Sequence, residues 1–115
     1  MRILKLSQLR KEMVLVDVRS PLEFLKGHIQ DSWNLPHASL LTAKSLGVLE
    51  LPFLYTPTTV DVVIYCRLSL IRGPEALNHF QHLLNTCPGH NISQLYLLEG
   101  GFKGWESAKR PIVKG

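Results

Sequence analysis

The sequence predicts an α/β fold: a central parallel sheet flanked by helices on both faces. Three observations point there. First, the apolar runs Val14-Leu15-Val16-Asp17-Val18 and Val60-Asp61-Val62-Val63-Ile64-Tyr65 are β-branched and nearly unbroken, as strands buried on both faces are. Second, segments of helical period lie between such runs. Third, the stretches joining the runs are long enough for crossovers, which is how parallel strands connect. The 115 residues suit a single domain, 1–115. A domain of that size can bury a core without disulfides or a metal.

Each element has a local reason. Ser20-Pro21-Leu22-Glu23-Phe24 starts a helix, with Ser20 as the cap, Pro21 at the first position and Glu23 at capping-box spacing. Gly27 stops it. Ser32-Trp33-Asn34-Leu35 reads as a short strand ended by Pro36. Residues 38–46 predict a second helix stopped by Gly47, and residues 50–59, with Pro52, Pro57 and three threonines, a loop. Residues 74–85 predict a helix whose Ala76, Leu77, Phe80, Leu83 and Leu84 make one apolar face. Residues 94–98 predict a strand, and residues 101–109 a turn into a short helix. Trp33 and Trp105 are expected in the core, and His28 is expected to order the turn after Gly27.

Composition excludes several classes. A formal charge of +4 favours anionic partners, yet no dense Lys/Arg run marks a nucleic-acid surface. Cys66 and Cys87 are too few for a disulfide scaffold, and no CxxC or Cys/His spacing suits a metal. His79 and His82 lack a third ligand. No bound cofactor is implied. Lys5, Gln8, Arg10, Lys11 and Glu12 interrupt any leader-like apolar run, and no stretch reaches the ~18 apolar residues that span a bilayer. The expected setting is reducing, cytoplasmic or nuclear, with neither membrane nor nucleic acid as partner.

The chemistry lies in the loop Cys66-Arg67-Leu68-Ser69-Leu70-Ile71-Arg72, between a strand and the Gly73-Pro74 helix start. A free thiol has a pKa of about 8.5, so the thiolate needs help at neutral pH. A helix N-terminus and inward-pointing backbone N–H groups supply it, and the same groups receive the oxygens of a bound oxyanion. Arg72 can close the site with a two-pronged contact. Ser69 can donate to the thiolate or to a departing thiol. Arg67 can steer anions, although a solvated loop charge explains it equally well. In open parallel sheets ligands bind beyond the carboxyl ends of the strands. Asp17, Arg19, the Cys66 loop and the Glu99-Gly100-Gly101 turn should therefore meet at one edge.

These motifs resemble the rhodanese superfamily along nearly the whole chain. Leu15-Val16-Asp17-Val18-Arg19-Ser20-Pro21-x-Glu23-Phe24-x-x-Gly27-His28-Ile29 is similar to its first signature, and Leu98-Glu99-Gly100-Gly101-Phe102-x-x-Trp105 to its last. The resemblance implies a catalytic cysteine between them. Sulfurtransferases of the family carry a loop one residue shorter. The longer Cys-x5-Arg loop is similar to that of the eukaryotic arsenate reductases and the cell-division-cycle dual-specificity phosphatases, which implies a phosphate or arsenate substrate. Two departures stand out. Tyr65 replaces the usual histidine, and Leu70 and Ile71 replace acidic loop residues of the phosphatases.

The resulting expectation is a cysteine-dependent oxyanion enzyme, an arsenate reductase or a phosphatase of tyrosine or dual-specificity type. Cys66 is the nucleophile, Arg72 the clamp, and Arg67, Leu68, Ser69, Leu70, Ile71 and Gly73 the oxyanion-binding loop. Glu99 is a candidate acid, whereas Asp17 is expected to brace Arg19 and Glu75 suits a helix first turn. Cys87 lies beyond the 74–85 helix, about 18 Å from its start at 1.5 Å per residue, too far to resolve a Cys66 intermediate. Arsenate reduction would therefore draw on glutathione or glutaredoxin. The alternatives are a thiosulfate sulfurtransferase and a rhodanese-like binding module that has lost catalysis.

Overall fold

A computed structural model describes residues 1–38 and 51–115. Strands β1 (Ile3–Leu4), β2 (Val14–Asp17), β4 (Trp33–Asn34), β5 (Val60–Tyr65) and β6 (Ile92–Leu98) form one sheet. Its order is β1-β6-β5-β2-β4, and every pairing is parallel. Two short strands, β3 (His28–Ile29) and β7 (Ile112–Val113), pair antiparallel beside it. Helices α1 (Pro21–Lys26), α2 (Arg72–Leu84) and α3 (Gly101–Ser107) follow β2, β5 and β6.

Strand alternation sorts the core onto two faces. Val16, Val18, Val62, Ile64 and Cys66 share one cluster with Ala76, Leu77, Phe80, Leu83 and Leu84 of α2. Met13, Val63, Tyr65 and Leu98 share the other with Ile29 and with Trp105 of α3. Helices thus cover both faces, as near-continuous apolar strands require. Phe80 is fully buried, and its truncation to Ala should cost about 3–5 kcal/mol.

The sequence expectations meet several adjustments. The α1 capping box forms as read: Ser20 Oγ accepts the Glu23 N–H and Glu23 Oε1 accepts the Ser20 N–H, both at 3.2 Å. α2 begins at Arg72, two residues before Pro74, because a proline within the first turn still has no hydrogen bond to lose. β6 starts at Ile92, with a register irregularity against Val60–Asp61. Within 50–59, Pro52–Tyr55 form a 3₁₀ turn that buries Phe53 and Leu54. Trp33 is 42% exposed rather than in the core, since β4 is the edge of the sheet. Of the helix expected over residues 38–46, all but Ala38 lies outside the described residues.

Candidate active site

Cys66 directly follows β5 at the carboxyl edge of the sheet and is 3% exposed. Two backbone N–H groups donate to its sulfur, Ser69 at 3.1 Å and Gly73 at 3.3 Å. The first depends on Ser69 turning through a left-handed conformation, φ 57°, which L-residues seldom adopt outside sites that need it. The second is a first-turn N–H of α2, with no carbonyl partner within the helix. A Cβ on Gly73 would lie 2.7 Å from Leu97 Cδ1 and 3.4 Å from Cys66 Sγ, so glycine lets the helix start approach the thiol. Among the described residues, Ser69 Oγ is buried without a hydrogen-bond partner. Around this polar floor, Arg67, Leu68, Leu70 and Ile71 are exposed.

A second support comes from the Glu99-Gly100-Gly101 turn. The Phe102 and Lys103 N–H groups donate to the Cys66 and Arg67 carbonyls, both at 2.9 Å. Gly101 allows this, because φ is +57° and a Cβ there would sit 2.5 Å from the Cys66 oxygen. Glu99 itself is exposed, and its carboxylate forms no hydrogen bond or ion pair among the described residues.

Arg72 and Arg19 are held differently. Arg72 meets Glu23 with Nη1 at 2.6 Å from Oε1 and Nη2 at 3.1 Å from Oε2. Arg72 holds the Glu23 carboxyl down at about 2, and Glu23 raises Arg72 further above its ordinary value. Arg19 grips Asp17 through Nε at 3.0 Å and Nη2 at 2.7 Å, donates to the Gly27 carbonyl at 2.6 Å, and lies 4.1 Å from the Phe102 ring centroid. That network ties β2, α1 and α3 together next to the loop.

A match to the rhodanese-like domain spans residues 3–108. The chain belongs to the rhodanese family. An uncharacterized protein of Synechocystis is 36% identical over 111 residues, covering 95% of this chain and 52% of that protein. M-phase inducer phosphatase 1 of Bos taurus is 35% identical over 103 residues, covering 86% of this chain and 19% of that protein. The chain thus spans about half of the first relative and a fifth of the second. A rhodanese-related protein from Thermoplasma volcanium superimposes with a TM-score of 0.69 at 24% identity over all of both chains. A yeast protein tyrosine phosphatase of the rhodanese family does so with a TM-score of 0.60 at 23% identity, covering 92% of this chain and 84% of that one.

Within this rhodanese fold the family's usual histidine position is instructive. Tyr65 points to the sheet face opposite Cys66, where its hydroxyl accepts the Ile29 N–H at 3.2 Å and lies 2.9 Å from Ser32 Oγ. Burial, and then the charge of Asp17, raise its pKa above the ordinary tyrosine value. Its role here is to anchor the β3 turn. His28 orders the same region, with Nδ1 2.9 Å from the Phe24 carbonyl. Cys87 is buried past the far end of α2. Sequence reasoning missed the contact of Glu23 with Arg72, because the capping box already accounted for Glu23. A second signal existed: a carboxylate in the first turn after the strand beside Cys66.

Proposed function

We propose that this rhodanese-like domain is a cysteine-dependent phosphatase, acting on phosphomonoesters whose leaving groups need little protonation. The carrying observation is the Cys66 sulfur facing two backbone N–H donors in a loop closed by Arg72. Such donors stabilise a thiolate, and the loop amides with Arg72 then suit the charge spread over a transferring phosphoryl group. Cys66 attacks phosphorus in line, the ester oxygen departs, and water cleaves the phosphocysteine to release phosphate and restore the thiolate. The relation to M-phase inducer phosphatases supports the same chemistry.

The identity of the acid limits the substrate. Glu23 is held ionised by Arg72, and both oxygens of Asp17 are taken by Arg19. Glu75 lies 3.2 Å from His37. Glu99, which directly follows β6, is a candidate acid near that edge. With no carboxylate among the loop residues, aryl esters fit better than alkyl esters.

That same lack of a loop acid favours a second reading, arsenate reduction, where the departing group is water or hydroxide. The buried Cys87 cannot serve it as the described chain stands, so glutathione or a glutaredoxin would supply the electrons. One panel decides: aryl phosphate, arsenate with glutathione and glutaredoxin, and thiosulfate with cyanide. Aryl phosphate turnover that disappears in Cys66→Ser supports the phosphatase. Turnover of thiosulfate alone would make it a sulfurtransferase, and silence in all three with no binding of tungstate would make it a binding module.

A further inference from the structure

The contact between Arg72 and Glu23 uses only part of the guanidinium. That group is planar and offers two edges for two-pronged contacts, one from Nη1 with Nη2 and one from Nε with Nη2. Glu23 occupies the first. The Nε edge makes no hydrogen bond among the described residues.

Glu23 is itself fixed. Its Oε1 accepts the Ser20 N–H, and its own N–H goes to Ser20 Oγ. The carboxylate therefore sits on the first turn of α1, where the helix favours negative charge. α1 follows β2, and β2 pairs with β5, the strand that delivers Cys66. The anchor of the arginine and the nucleophile thus hang from adjacent strands of one sheet.

We propose that Glu23 is a positioning residue: by filling the Nη1–Nη2 edge of Arg72 it presents the Nε–Nη2 edge to an oxyanion lying against Cys66. This rests on the Cys66–Arg72 loop being an oxyanion site. Ordering a long side chain before the substrate arrives removes part of the entropy cost of the encounter. Glu23 stays ionised throughout the working pH range, so the anchor does not switch off. A carboxylate that competed with the substrate would instead fill the edge the substrate needs.

The test needs a readout independent of phosphatase turnover. Iodoacetate and iodoacetamide both alkylate a thiolate, and only the first carries a carboxylate for Arg72 to grip. Their rate ratio at Cys66 measures the clamp. It is read in the wild-type chain, in Glu23→Gln, in Arg72→Met and in the double variant, alongside kcat and KM for an aryl phosphate. Glu23→Gln keeps the length of the side chain and one acceptor for the Ser20 N–H.

The expected result is a fall in the ratio and in kcat of roughly tenfold, less than the ~10²-fold of a full 1 Å misplacement. No further fall is expected when Glu23→Gln is added to Arg72→Met. An unchanged or increased ratio in Glu23→Gln would overturn the proposal. So would an equal loss in the Arg72→Met background, since Glu23 would then act through something else. If Glu23→Gln fails to fold, Glu23→Asp, which keeps the charge and shortens the reach, carries the same expectations. Should the wild-type chain prefer iodoacetate, and Glu23→Gln lose that preference, while neither hydrolyses an aryl phosphate, the phosphatase reading falls and the positioning role stands. Absence of any preference in the wild-type chain overturns the clamp and its positioning together.

Discussion

Arg19 and Arg72 are each gripped by a carboxylate on two nitrogens, yet their surroundings differ in nearly every other respect. The Arg19–Asp17 side chains are 6% and 0% exposed, and those of Arg72 and Glu23 are 37% and 35% exposed. Arg19 presents its Nε edge to Asp17, spends Nη2 again on the Gly27 carbonyl and lays its face on Phe102. Arg72 presents its outer edge to Glu23 and, among the described residues, keeps its Nε edge open. An arginine whose Nε edge, Nη2 and flat face are all engaged holds elements together. One with an open edge next to the proposed nucleophile is equipped for a ligand.

The same substitution at both positions should separate the two kinds. Arg19→Met leaves the fully buried Asp17 without its counter-charge. Its expected cost is about 3–5 kcal/mol of stability, measured by urea unfolding, with activity per folded molecule reduced far less. Arg72→Met should fold with nearly wild-type stability and lose ~10²–10³-fold in kcat/KM for an aryl phosphate, as for the loss of one oxyanion donor. A large stability loss at Arg72, or a large specific activity loss at Arg19, would erase the distinction.

The smallest effect separates the pairs by acid. The Glu23 carboxyl lies near 2 in the folded chain, below its ordinary 4.5. A lowered carboxyl stabilises above its unfolded value and loses that contribution as pH falls from about 4.5 toward about 2. Both partners are more than a third exposed, so the contribution is at most about 1 kcal/mol. The difference in unfolding free energy between wild type and Glu23→Gln, measured at pH 7 and again near pH 3, should shrink accordingly. A gap that widens in acid would contradict the assigned direction.

Much of this arrangement could be read in the sequence where a residue's reason is local. β5 over Val60–Tyr65 and the Ser20–Glu23 box needed only neighbours a few positions away. The two-residue strands β1, β3 and β7 are too short to carry any period, and they form because partners reach them. The start of α2 was placed late because Pro74 is a strong signal and Arg72 a silent one. The place of the Cys66 loop, between a strand and a helix start, was legible from its flanking residues. The Glu23–Arg72 contact was not, because it joins two motifs that each looked complete. Tyr65 poses the opposite difficulty: it adjoins Cys66 in sequence, and strand alternation sends it to the other face.

The turn at Gly101 also ties the Cys66 loop to a segment that is made later. Phe102 and Lys103 hold the Cys66 and Arg67 carbonyls from a segment made much later in the chain. During synthesis β5 and the cysteine emerge first, and their cradle stays unfinished until β6 has docked and the chain has turned into α3. Under the proposed chemistry, reactivity at Cys66 would therefore report the completion of folding rather than its beginning. On gentle denaturation, detachment of the short C-terminal helix should silence the thiol while most of the sheet still stands.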